Sequence, residues 1–266
     1  MSTVNELQAK SAKLREFFDQ YLPYERPEPV LSDFVKIQHE LMWGGVWQTE
    51  DLDLRLKSFA TISAQCVNGY DFGIEHQVRT GLTIGITPPE IKEIFIQLLF
   101  YAGIPATVFG LLESQKVINE RQEWKDLDTA ETWEWMPSIA DKLKAGHQRM
   151  SETWGAGSAE EIGNSIARRL VPEASQIVDA YNFGEVWRRN ILSNKERLVC
   201  VLSALMCRGH MAQLRQYTQY ALNSGVSARE VCGVFSQAGW YRGWPYVQDA
   251  LRAVSDILLD SNTGDK

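Results

Sequence analysis

From Ile91 onward the apolar residues Ile91, Ile94, Phe95, Leu98, Leu99 and Ala102 recur three and four positions apart, the spacing that gathers them on one face of an α-helix. Val231, Val234, Phe235 and Ala238 repeat the stripe 140 residues later. Each stripe has a start signal. Thr87-x-x-Glu90 and Ser227-x-x-Glu230 are capping boxes, in which a hydroxyl and a carboxylate satisfy backbone amides left unpaired in the first turn. Pro88 suits the first helical position. Both stripes then run into Tyr-x-Gly-x-Pro, at Tyr101 and again at Tyr241. Glycine lets the chain leave a helix through a left-handed conformation and proline opens the next one, so the motif predicts a helix–turn–helix corner. Gly103 and Pro105 likewise break the apolar run from Ile94 to Leu112, which therefore reads as two buried helices rather than one membrane span. No alternating strand pattern competes, and the expected fold is all-α.

The offset of 140 continues without a gap well beyond the motif. It places Trp43-Gly-Gly-Val-Trp47 over Phe183-Gly-Glu-Val-Trp187, Ser63-Ala64 over Ser203-Ala204, Gly69 over Gly209 and Gln97 over Gln237. Internal repetition of this kind fixes architecture before any local detail. It implies a tandem duplication of a compact helical unit, expected over residues 1–122 and 123–266 and related by pseudo-symmetry. Glu120 to Trp154 joins the copies and carries Trp124, Trp133 and Trp135. These read as packing residues sealing a junction, with a binding cage as the alternative.

Charge and cysteine usage narrow the partners. A net charge of −7 disfavours nucleic acid and anionic membrane, both of which need concentrated Lys and Arg. A small molecule or another protein is the expected partner. Cys66, Cys200, Cys207 and Cys232 lie in apolar helix-like stretches without a C-x-x-C pair, the pattern of reduced thiols in a cytoplasmic chain. Met1 to Lys10 contains no apolar run of a secretion signal, and Asp260 to Lys266 is expected to fray. His39, His147 and His210 stand apart, without metal-ligand spacing.

Each copy resembles the carboxymuconolactone decarboxylase family, which shares its helical fold with the alkylhydroperoxidase D-like (AhpD-like) proteins. In the first copy the resemblance is carried by Trp43 to Ala64 and Gly81 to Pro105, and in the second by Phe183 to Leu205 and Tyr220 to Pro245. It implies decarboxylation of a cyclic unsaturated lactone acid, or a related proton-transfer isomerisation, without metal or organic cofactor. Such chemistry needs a pocket that seats a carboxylate, spreads dienolate charge and returns a proton to carbon. The family pattern sets a histidine eight residues before the glycine that ends the helix; that count falls on Gln77 before Gly85 and on Tyr217 before Gly225. His76 is one residue early, beside Glu75 and ahead of Arg79, which matches the family arginine. Either a π-bulge returns His76 to the pocket, or its side chain is turned by about 100°.

On this reading His76 is the acid or base with Glu75 beside it, Arg79 anchors the carboxylate and Tyr101 donates a hydrogen bond. Cys66, Glu185, Tyr217 and Tyr241 complete the substrate-contacting candidates. The bland alternatives are an intrahelical Glu75–Arg79 pair and tyrosines turned to backbone carbonyls. Glu185 matches an acidic family position where the first copy has Gly45, which suggests that the copies have divided roles. Two other functions compete: peroxide reduction, which needs a thiolate with a resolving partner, and a non-catalytic ligand-binding scaffold. Resemblance to ring-forming single-unit proteins implies a homo-oligomer, either a trimer of two-unit chains or a dimer.

Overall fold

The computed structural model describes residues 3–19, 32–69, 71–129 and 133–263; the tip of the tail expected to fray, 264–266, lies outside them. The first half runs α1 (Val4–Asp19), α2 (Ser32–Gln38), a π-turn (His39–Trp43), a 3-10 turn (Val46–Gln48), α3 (Leu54–Asn68), α4 (Asp71–Thr83), α5 (Pro88–Ala102) and α6 (Ile104–Ile118). After α7 (Gln122–Leu127) come α8 (Ile139–Trp154), α9 (Ser158–Gly163), α10 (Ile166–Leu170) and α11 (Pro172–Asn182). A 3-10 turn (Val186–Arg188), α12 (Asn194–Arg208), α13 (Met211–Asn223), α14 (Ala228–Arg242) and α15 (Trp244–Thr263) complete the chain. Among the described residues there is no strand.

The two halves meet along α3 and α12, which pack on each other and are buried over most of their length. Phe59, Ile62, Leu198 and Leu202 are wholly enclosed there. Each large apolar side chain so buried stabilises the fold by about 1.5–3 kcal/mol. One buried hydroxyl in this layer ties the halves together: Ser203 Oγ donates to the Ala60 carbonyl at 2.6 Å. α5 and α14 flank the pair, each opened by its capping box: the Thr87 and Ser227 amides donate to Glu90 and Glu230 at 2.8 and 2.9 Å.

The Tyr-x-Gly-x-Pro corners form where expected, by a different conformation. Gly103 (φ 90°, ψ 160°) and Gly243 (φ 122°, ψ 139°) have the positive φ that favours glycine, but their extended ψ swings the chain straight into the next helix. A second shared constraint explains the Trp-Gly and Phe-Gly pairs of the repeat. A Cβ on Gly44 would stand 2.0 Å from the Leu7 carbonyl oxygen, and one on Gly184 2.1 Å from that of Lys142. α1 and α8 therefore make the same close approach to the glycine turns of their halves.

Three expectations are corrected by the fold. α5 is buried, but α6 turns Ile104, Val108 and Leu112 outward, so only one of the two helices in that apolar run is enclosed. Trp124 is packed away, whereas Trp135 is 61% exposed and seals nothing. α15 stays helical to Thr263, past the point where fraying was expected.

Candidate active site

Each half supplies an indole and takes its phenol from the other. Trp47 Nε1 donates to the Tyr241 hydroxyl at 3.1 Å, and Trp187 Nε1 donates to the Tyr101 hydroxyl at 3.3 Å. The tyrosines sit at the ends of α14 and α5, where the glycine corner brings them under the opposite half. At the first junction Thr61 and Gln77 flank the Tyr241 hydroxyl, Gln237 Nε2 donates to Thr61 Oγ1 at 3.0 Å, and Trp43 stacks on Trp47 at 5.6 Å.

The second junction opens into a cavity of about 600 Å³ between the end of α5 and helices α9 to α13. Tyr101 and Tyr217 meet on its wall with their hydroxyls 2.8 Å apart. Phe100, Ile162, Val178 and Phe183 make much of the lining apolar. Its charged and titrating groups are the ion pair of Arg168 with Asp179 (Nε to Oδ2, 2.5 Å), Glu161 on α9 and His210 at the start of α13, with Asn182, Gln213 and Gln216 among the uncharged polar ones. Burial pushes the Tyr101 and Tyr217 phenols up; hydrogen bonds from Tyr217, Trp187 and Asn182 and the Arg197 charge pull Tyr101 back part of the way. Both phenols therefore stay protonated and act as donors. When Trp187 donates to Tyr101 and Tyr101 to Tyr217, one phenol proton is left for a ligand.

The remaining sequence candidates lie elsewhere. α4 is α-helical throughout, and His76 packs edge-on to Trp43, 6.3 Å between centroids, outside the residues that line the cavity. Arg79 is held by Glu120, Nε to Oε2 at 2.8 Å, and by Glu75 at 3.3 Å, so the intrahelical pair forms together with a second carboxylate. Glu185 is buried and accepts from Lys142, from Trp133 Nε1 at 2.8 Å and from the Met136 amide at 3.0 Å. Burial works to raise its pKa, but those donors outweigh it and hold the carboxyl below its usual range. Cys66 is buried, with Sγ 3.8 Å from the Ala106 carbonyl, and desolvation pushes its thiol up to about 12. Of the candidates, then, the cavity joins Tyr101 and Tyr217. It adds Arg168, Asp179 and Asn182, which sequence reasoning missed because α9 to α11 carry no motif, and His210, which was set aside for want of metal-ligand spacing. The nearest signal was the family-histidine count, which picked out Tyr217. Among the described residues, no group of three His, Cys, Asp or Glu could hold a metal ion.

A doubled helical unit with exchanged tyrosines at its centre and a half-open cavity on one side defines a class of tandem all-α proteins. The family model for the carboxymuconolactone decarboxylase family matches residues 32–113 and again 172–256, more than half of the chain, and the chain belongs to that family. It is similar to a 4-carboxymuconolactone decarboxylase of Acinetobacter baylyi, 26% identical over 89 residues, covering 34% of this chain and 66% of that protein. It is also similar to a nitrosuccinic acid decarboxylase of Metarhizium robertsii, 28% identical over 98 residues, 37% of this chain and 64% of that protein. An uncharacterised 15.0 kDa protein of Paracoccus denitrificans matches at 28% over 105 residues, 39% of this chain and 78% of its own length. The chain thus spans a little under two thirds of the two decarboxylases it matches. No helix among the described residues is long and apolar enough to cross a membrane.

Proposed function

We propose that the protein is a decarboxylase, or an isomerase working through the same enolate, acting on a small carboxylated substrate in the Tyr101–Tyr217 cavity. The observation that carries this reading is the pair of protonated phenols 2.8 Å apart on the wall of an apolar hollow. In decarboxylation the bond to the carboxylate carbon breaks, its electron pair enters a conjugated carbonyl as an enolate, CO2 leaves and a proton is added to carbon. Phenol donors in a low-dielectric site stabilise that oxyanion more than they stabilise the neutral carbonyl, which lowers the barrier. His210, exposed on the cavity rim, is the side chain assigned as proton carrier. Arg168 is the cation available to the carboxylate, with Asp179 as its resting partner. The decarboxylase names of two similar proteins favour CO2 loss over other chemistry.

Thiol peroxidase chemistry has less support, because burial pushes Cys66, Cys200 and Cys207 each to about 12, where thiolate is scarce at neutral pH. The outward apolar stripe Ile104, Val108 and Leu112 on α6 supports assembly into a homo-oligomer, a trimer of two-unit chains in our reading, to be measured by sedimentation. The enzymatic reading is tested by CO2 release from 4-carboxymuconolactone, nitrosuccinate and related cyclic and branched acids. Tyr101→Phe and Tyr217→Phe are each expected to lower kcat by roughly 10²–10³-fold on the responding acid. Full turnover by the double Phe variant refutes the assignment.

A further inference from the structure

Arg197 on α12 and Glu93 on α5 form an ion pair with neither side chain exposed. The guanidinium serves three partners. Nη2 donates to Glu93 Oε1 at 2.8 Å and to the Arg189 carbonyl at 2.7 Å, while Nη1 donates to Gln97 Oε1 at 2.8 Å. Arg189 closes the cluster, its Nε donating to Glu93 Oε2 at 2.8 Å. Glu93, Gln97 and Tyr101 stand four residues apart on α5 and so share one face. Arg189 follows the turn that carries Trp187. Arg197 therefore ties the helix that presents the Tyr101 hydroxyl to the turn that presents the indole donating to it.

A buried ion pair is a poor source of stability, since desolvation offsets the attraction and apolar replacements of similar size are often neutral or better. The pseudo-symmetric position points to another role. Lys57 stands 140 residues before Arg197, and it turns back on its own half: Nζ donates to the Val46 carbonyl at 2.8 Å and the Thr49 carbonyl at 2.7 Å, in the turn that carries Trp47. Gly233 occupies the place that Glu93 has in the first half. The two-sided tie accompanies the tyrosine that faces the cavity, and its counterpart is one-sided.

We infer that Arg197 is a positioning residue for the Tyr101–Tyr217 site, holding α5 and the turn at 186–189 in the register that keeps the Tyr101 hydroxyl on both Trp187 and Tyr217. The inference rests on reading that cavity as the reactive site. The Arg197 charge also favours negative charge on Tyr101, in keeping with a role at the phenol rather than only in the core.

The test pairs E93M/R197M, which removes both fully buried charges together and leaves only Arg189, at the edge of the cluster, without its carboxylate, with R197K, which keeps the charge and loses the fork. The full chain is used, and two quantities are read: turnover of the acid found above, and the indole N–H resonance of Trp187 in nitrogen-15 spectra. E93M/R197M is expected to shift that resonance and lower kcat by about 10²-fold, the scale of a misplaced catalytic group, with KM little changed. R197K recovers part of both effects, and Lys57→Met leaves both near wild type. An unmoved Trp187 resonance, or a moved one with unchanged kcat, overturns the inference. If the double variant does not fold, R197K decides on the same two readouts. Full turnover by Tyr101→Phe is a separate outcome, sinking the site reading while the resonance still reports whether Arg197 holds the turn.

Discussion

Trp47 and Trp187 perform the same act 140 residues apart, yet their surroundings diverge. Around Trp47 the family-histidine position holds Gln77, Trp43 stacks on the indole and His76 stands edge-on to Trp43, so the Tyr241 hydroxyl meets side chains. Around Trp187 the same position holds Tyr217, Phe183 replaces Trp43, and a second phenol faces a cavity of about 600 Å³. Behind the indoles, Lys57 secures a single turn while Arg197 secures a turn and a helix. Shared backbone geometry does not require shared chemistry: the corners, caps and glycine contacts repeat, and the groups that titrate or donate into space do not.

The sharpest way to break this contrast is to strip Arg197 of its side chain alone. Arg197→Met leaves Glu93 with one cation fewer in a dry core and is expected to cost about 3–5 kcal/mol in denaturant unfolding. Lys57→Met removes donors from acceptors beside a turn and is expected to cost about 1–3 kcal/mol; equal losses would erase the distinction. Next in size is turnover, where Tyr101→Phe loses roughly 10²–10³-fold and Tyr241→Phe far less, measured on one substrate under saturating conditions.

Alkaline unfolding gives a third, smaller test. Burial pushes Tyr241 from its ordinary 10 up to about 12. Between those values the unfolded chain has lost a proton that the folded chain keeps, so stability held below pH 10 falls as pH rises toward 12. Tyr241→Phe should flatten the fall, and a slope identical to wild type would contradict the buried phenol. The smallest effect is the one that should match between halves. Asp53 and Ser193 cap α3 and α12, and Asp53→Ala or Ser193→Ala should each cost about 1 kcal/mol.

Much of the architecture was legible because backbone demands leave local marks. The stripes on α5 and α14, their capping boxes and the glycine corners follow from residue type and spacing alone, and the fixed offset joined them into two units. The site was legible only in part. The offset aligns Tyr101 with Tyr241 but says nothing of which half each faces, since that depends on how α3 meets α12. The lining from α9 to α11 has no periodic signature, so Arg168, Asp179 and Asn182 passed unseen. His76 drew notice as a histidine near the expected place, while the neighbouring Gln77 is the residue that reaches Tyr241. Arg197 lay hidden behind Lys195 and Glu196 at the polar start of α12, where its alignment with Lys57 across the repeat was the available clue.

The exchange of tyrosines has a consequence for ancestry. A solitary unit of this design would own an indole and lack the phenol it serves, so the forerunner of the repeat must have worked as a twin of identical molecules. Joining the twins in one gene released each from copying the other. From then on a change could be accepted on one flank without being imposed on its mirror image, which is how Gln77 and Tyr217 came to hold matching places in a single chain.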